Sequence, residues 1–497
     1  MEKNDFFDFM LNEAEGYWSV TGYYGKGEEV VFPPSYEGKP VKTIGNAFSP
    51  SNKRIKHAII PEGYISIGGQ AFQGCTGLTD IKLPESLTSV GNHAFQGCTG
   101  LTNIKFPESL TSIADSAFQG CTGLINIKFP ESLTSIGERA FQGCTGLTNI
   151  KFPESLTSIA DSAFFGCTGL TNIKFPESLT SFADSAFQGC TGLTNIKFPE
   201  SLTSIGEWAF TDCTGITNIK FPENLTSIGW MAFQGCTGLK EIELPESLTS
   251  IEDGAFDGCT ELTKIKIPKS LTSFTGWTFR DCTQLAEIIV DENNPVFCSL
   301  DGVMFDKAMT TLMWFPEGKK GKYSVPDGII RIRSNAFQNC REITGISFPQ
   351  SLLSIESYGF NSEQLTDITV NESNPNYCSI DGVLFDKEKE SLGEYPRNKD
   401  KTYYAVPDGT KYILANAFYG CKNLINIDLP EGLEIIDDEA FGGCEGLKAI
   451  TFPTSLQYIG EHVFEDCPNL ETVTLSRKTK IGHKAFEGFT GRFVYRD

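Results

Sequence analysis

The sequence predicts a β-rich solenoid of about seventeen 23-residue coils, with short parallel strands and 3₁₀ turns, wound into an elongated, curved rod. Three observations carry that expectation. The segment CTGLTNIKFPESLTSIADSAFQG, Cys98 to Gly120, returns almost letter for letter from Cys144 to Gly166 and from Cys167 to Gly189. Ten cysteines from Cys75 to Cys282 fall 23 residues apart, and Cys421, Cys444 and Cys467 resume the step. A phenylalanine closes an [A/G/T/V]-F motif seventeen times between Phe48 and Phe486.

Within a coil, Leu101, Ile104 and Phe106 alternate with Thr102, Asn103 and Lys105, so a short strand turns its apolar side inward and its Asn and Lys outward. Pro107 ends it, because proline has no N–H to continue a ladder. Leu110 and Ile113 form a second inward pair, and the ADSAFQGC turn buries Ala117, Phe118 and Cys121. One coil alone leaves these groups in water; stacked coils share them, which explains why the inward positions are copied so closely.

Along the chain, residues 1–48 are expected to cap the array and lead into its first coil, and 49–290 to form the regular repeats. Residues 291–406 carry two inserts, 291–325 and 371–406, and 407–497 form the last repeats and a closing cap. The inserts share one pattern, NPVFCSLDGVMFDK and NPNYCSIDGVLFDK, in which apolar runs flank a polar connection, as in a β-hairpin standing beside the stack. The runs DENNP and NESNP offer oxygen ligands for Ca²⁺ but lack the D-x-D-x-D-G…E spacing of a calcium loop.

The spacing L-x-x-I-x-[FL]-P, then L-x-x-I and A-F-x-x-C, resembles the BspA-like, or Treponema-type, leucine-rich repeat family over nearly the whole chain. Trp18 to Phe48 resembles the capping region that precedes such arrays in bacterial members. The resemblance implies a leucine-rich-repeat solenoid and a secreted or cell-surface binding protein. It further implies an adhesin for host matrix proteins or for other cells, which characterised members of the family resemble. The opening MEKNDFFDFMLNEAEG shows no signal peptide pattern, so the expected location comes from the resemblance alone.

Composition narrows the partners. Lys+Arg 41 against Asp+Glu 63 gives a net charge of −22, which repels nucleic acid and anionic lipid. No window approaches the ~18 apolar residues of a membrane helix. Protein partners are expected, with self-association as an alternative, and no cofactor. The sixteen cysteines mark a period and include no close pair of the C-x-x-C kind, so they are expected to be buried free thiols, with no metal ligand set. His57, His93, His462 and His483 lie towards the two ends of the chain and no nucleophile motif appears, so no enzyme is expected.

In a solenoid, sequence columns become surface stripes. Asn103, Lys105, Asn126, Lys128, Asn149, Lys151, Lys174, Lys197 and Lys220 fall in two outward columns and are candidate ligand-binding residues, suited to an acidic protein segment or an anionic glycan. Stacked ammonium groups repel by roughly 1 kcal/mol per neighbouring pair in water, so Glu108, Glu131, Glu154, Glu177, Glu200 and Glu223 are expected to compensate them across the bend. A third column breaks. Where earlier coils place Ser116, Arg139, Ser162 and Ser185, later ones place Trp208, Met231 and Trp277, with Trp230 one position before Met231. These residues, and Trp314 in the first insert, are candidate protein-interface positions. A structural or self-assembling surface scaffold is the competing role.

Overall fold

The structure is a computed structural model that describes residues 6–48, 53–356, 360 and 362–496, in two compact units, Met1–Cys282 and Thr283–Asp497. The expected junction after residue 48 abuts residues 49–52, which lie outside the described residues. Each unit is a β-solenoid of stacked parallel strands, with about twenty turns between them.

In the first unit each coil contributes a three-residue strand such as Asn103–Lys105, exposed at both ends and buried at Ile104. It pairs in parallel with Asn126–Lys128, and the ladder continues in register through Asn149–Lys151, Asn172–Lys174, Asn195–Lys197, Asn218–Lys220 and Glu241–Glu243 to Lys264–Ile267. A second ladder of two-residue strands runs from Ser66–Ile67 through Ser89–Val90, Ser112–Ile113 and Ser135–Ile136 to Ser158–Ile159. The third edge is the expected 3₁₀-type turn. Gln119 N–H bonds Ser116 O and Cys121 N–H bonds Phe118 O, both at 3.1 Å, closing i→i−3 rings. The same edge ties coils together, since Ser116, Phe118 and Gly120 donate to Glu138, Ala140 and Gln142 of the next coil at 2.7 to 2.8 Å.

This geometry explains the copied residues one by one. Phe118 stacks between Phe95 and Phe141 at 5.0 and 5.2 Å, and Phe106 meets it edge-on at 5.6 Å. Ser109 donates its hydroxyl to Leu87 O at 2.6 Å and Thr111 donates to Thr88 O at 3.2 Å, so even the polar letters of ESLTS bind the preceding coil. Cys121 Sγ donates to Phe95 O at 3.1 Å, and Cys144 does the same to Phe118 O. All sixteen cysteines are free, and all but Cys298 and Cys378 are buried. Burial pushes the Cys75 thiol up to about 12 and holds Cys121 and Cys144 well above the ordinary thiol value.

At the start of the chain, Phe7–Asn12 and Tyr17–Tyr23 form an antiparallel pair, and the second of these strands lies parallel to Lys39–Ile44, which in turn pairs with Ser66–Ile67. Aromatic rings fill this region, with Phe9 stacked on Tyr36 at 4.0 Å.

In the second unit the hairpins are present, with one difference in placement. Phe297–Leu300, Val303–Asp306 and Thr311–Trp314 run antiparallel, and the last then pairs in parallel with Arg331–Ile332. Tyr377–Ile380, Val383–Asp386 and Ser391–Glu394 repeat the arrangement before Tyr412–Ile413. The final hairpin strand is therefore a rung of the resumed ladder, not a protrusion beside it, because fully buried Leu312 and Leu392 fill the inward position that Ile113 holds in an ordinary coil. The acidic runs make turns. Asp291 Oδ1 accepts Asn293 N–H at 2.9 Å, and buried Asn294 and Asn374 accept the N–H groups of Phe297 and Tyr377 at 2.9 and 2.8 Å. Among the described residues no helix is long and apolar enough to cross a membrane.

Candidate protein-binding surface

The parallel register converts the two outward columns into stripes. Asn103, Asn126 and Asn149 stand opposite one another, as do Lys105, Lys128 and Lys151, and the lysine stripe continues through Lys174 and Lys197 to Lys220. All are exposed. Asn172 donates its amide to Asn149 Oδ1 at 3.4 Å, so part of the asparagine column is bonded to itself.

The glutamate column does something other than neutralise the lysines. Among the described residues no ion pair joins Lys105 through Lys220 to Glu108 through Glu223. Instead Glu108 Oε2 accepts the backbone N–H of Glu131 at 3.2 Å, and Glu154 and Glu177 accept those of Glu177 and Glu200 at 3.1 and 2.9 Å. Pro107 explains the difference: it bends the chain away from the strand, so the carboxylate reaches along the stack to the next bend. Beyond Lys220 the stripe alternates in sign, with Lys220 opposite Glu243 and Glu243 opposite Lys266.

The broken column lies on the third edge, where the backbone is left-handed. Ser116, Arg139, Ser162 and Ser185 have φ of 54 to 56°, and Trp208 and Met231 keep it at 51 and 52°. That region is disfavoured for side chains with a Cβ, and it is imposed here because the same residue must donate its N–H to the next coil. Trp208 donates to Trp230 O at 2.9 Å and Met231 to Asp253 O at 3.1 Å. The next residue of the column, Gly254, has φ 64°; a Cβ there would meet Met231 Cγ at 3.1 Å, so Met231 lies across it.

Trp277 differs from its predecessors. It begins no left-handed turn but sits in a short 3₁₀ helix, Gly276–Phe279, and is 44 % exposed. The Arg280 guanidinium lies over its ring, 4.9 Å from the centroid. Arg280 is itself clamped by Asp257 through two bonds, Nε to Oδ1 at 3.2 Å and Nη2 to Oδ2 at 2.7 Å, and Asp257 is buried. Gln234 adds a bond to the same carboxylate at 3.3 Å. The Trp208 and Trp230 rings, half-buried, pack edge to face at 4.6 Å.

Trp314 is a correction to the sequence reading. It is 6 % exposed, since the alternation of Thr311–Trp314 that buries Leu312 also turns Trp314 inward, and it offers a partner no usable surface. The Asp257–Arg280–Trp277 chain is absent from the columns considered above, but its signal lies in the column Gln234, Asp257, Arg280, where an acidic and a basic residue follow the amide at 23-residue steps.

The BspA type leucine rich repeat region matches residues 42–169, 135–236, 209–306, 315–391 and 397–492. Among solved structures, a leucine-rich repeat protein from Bacteroides ovatus is 26 % identical, with 99 % of each chain covered and a TM-score of 0.51. A leucine-rich repeat protein of T. pallidum is 32 % identical over 39 % of this chain and 90 % of its own, with a TM-score of 0.37. A protein from Faecalibacterium prausnitzii, described as a leucine rich cell surface protein, is 21 % identical over 96 % of this chain and 89 % of its own, with a TM-score of 0.31. No curated protein matches the chain. The chain belongs to the BspA-type leucine-rich repeat family, whose solenoid generally serves as a non-enzymatic scaffold for protein interaction.

Proposed function

We propose that the chain is a secreted or cell-surface adhesin that engages proteins of a host matrix or of other cells through the aromatic edge around Trp277. One observation carries the reading: an exposed indole held from beneath by Arg280, which a buried carboxylate fixes in place. An anchor ordered before binding loses little side-chain freedom on binding, and tryptophan and arginine are the residues most enriched among interface hot spots. Trp208, Trp230 and Met231 extend the same edge. Surface location is inferred from the family.

Captured extracellular-matrix proteins on a sensor surface provide the test. Wild type should bind at least one of them, and Trp277→Ser should weaken that binding by tenfold or more. Light scattering at several concentrations separates the scaffold alternative: mass that grows with concentration while no matrix protein binds supports self-assembly. The lysine stripe from Lys105 to Lys197, which makes no ion pair among the described residues, favours an anionic glycan as a second ligand, and retention on immobilised heparin reads it directly.

A further inference from the structure

The last two coils depart from the array at a place the binding surface does not use. In early coils the position after the turn phenylalanine carries glutamine, and the amides form a ladder: Gln73 donates to Gln96, Gln96 to Gln119, and Gln119 to Gln142. An amide donates at one end and accepts at the other, so such a ladder extends without charge. In the last coils the same column holds Glu465, after Phe464, and Glu487, after Phe486. Two carboxylates can only accept. The amide ladder therefore cannot continue through them, and a cation is the group that would join the two rungs.

His462, in the column of Ser116, faces both. Its Nδ1 lies 3.1 Å from Glu465 Oε2 and 3.6 Å from Glu487 Oε2, and the three ligand atoms all fall within 4.8 Å of one another. That nitrogen is shut off from solvent and makes no hydrogen bond. Lys484 Nζ holds the other oxygen of Glu487, Oε1, at 2.9 Å, which orients Oε2 towards the imidazole. Glu445, Glu465, Asp466 and Glu487 line one groove, so further negative charge surrounds the cluster.

We propose that His462 Nδ1, Glu465 Oε2 and Glu487 Oε2 bind one divalent transition-metal ion of the zinc type, clamping the last two coils together. Metal–nitrogen and metal–oxygen bonds of ~2.0 to 2.2 Å at tetrahedral angles put neighbouring ligand atoms about 3.3 to 3.5 Å apart. The observed 3.1 and 3.6 Å bracket that edge before any metal draws the groups in. Three protein ligands leave the fourth position for water. An imidazole nitrogen among carboxylates selects Zn²⁺, Co²⁺ or Ni²⁺ over Mg²⁺ and Ca²⁺, which favour all-oxygen shells. Lys484 acts as the outer partner that orients a ligating carboxylate. The His483 ring, centred 6.5 Å from that of His462, stands outside the ligand set.

Calorimetric titration of the full chain with ZnCl₂, and with CoCl₂ followed by visible absorption, tests the site. One Zn²⁺ per chain should bind, Co²⁺ should show the intense bands of a tetrahedral N/O site, and Zn²⁺ but not Mg²⁺ should raise Tm. His462→Asn, chosen because asparagine tolerates the φ of 52° at this position, should weaken binding thirtyfold or more, and so should Glu487→Gln, an exposed change. Failure of wild type to bind a single equivalent overturns the proposal. So does binding by both variants as tight as that of wild type, or a Tm that Zn²⁺ leaves unchanged.

Discussion

Trp208 donates its backbone N–H to the carbonyl of Trp230 at 2.9 Å, and the indoles of the same two residues meet edge to face with centroids 4.6 Å apart. One pair of residues thus joins two coils twice, whereas Trp277 rests on Arg280 and faces solvent. Trp208→Ser and Trp230→Ser should each lower stability by about 1 to 3 kcal/mol. Trp277→Ser should cost less than about 1 kcal/mol. Urea unfolding midpoints of the three variants check the order; equal losses would place Trp277 in the packing with the others.

The buried thiols make the array alkali-sensitive. Burial keeps them protonated in the folded chain, so above about pH 8.5, where thiols of the unfolded chain ionise, the folded state holds more protons. Their contribution is complete below that pH. It falls by about 1.4 kcal/mol per pH unit for each buried thiol as pH rises towards about 12, where Cys75, Cys167 and Cys213 ionise in place. Urea midpoints should drop steeply between pH 8 and 10, and a Cys144→Ala/Cys167→Ala/Cys190→Ala variant should drop less. A flat profile would contradict the thiol reading. Ellman's reagent should meet Cys298 and Cys378 first and all sixteen thiols only after unfolding.

The lysine stripe is open to improvement. Lys151→Glu would install between Lys128 and Lys174 the alternation that Lys220, Glu243 and Lys266 already show. It should raise stability by about 0.2 to 1 kcal/mol at low salt and less at high salt. Lys128→Glu/Lys151→Glu should abolish any retention on heparin. A loss of stability in the single variant would show that the stripe is already balanced.

Left-handed backbone at the third edge sets another expectation. Arg139, at φ 54°, should accept glycine with a gain of up to about 1 kcal/mol, while Arg139→Val should cost about 1 to 3 kcal/mol, since a β-branched side chain tolerates that region worst. Thermal melting of the pair checks the sign. A valine variant as stable as wild type would mean that the turn relaxes out of its left-handed form.

The coil itself was legible because its period is strict. Leu101, Ile104, Phe106, Leu110, Ile113, Phe118 and Cys121 are all buried, as their spacing requires. Residues whose partners lie on other coils were harder to read. Glu108 looks like a partner for Lys105 three residues away, but the bend at Pro107 sends it to the N–H of Glu131, 23 residues on. Trp314 reads as one more surface tryptophan until the hairpin fixes the parity of its strand. His462, Glu465 and Glu487 are not legible as a cluster in the sequence, because only the first two are close along the chain. In a solenoid, residues 22 and 25 apart are neighbours, and the final coil steps by 22 rather than 23.

The central claim is that specific binding lies where the columns break, on a scaffold whose repeats serve stacking. Binding of wild type, Trp277→Ser and Lys128→Glu/Lys151→Glu to the same captured matrix protein measures it most directly. Trp277→Ser should lose tenfold or more in affinity at nearly unchanged stability, while the lysine variant should bind as wild type does. Full affinity in Trp277→Ser would contradict it.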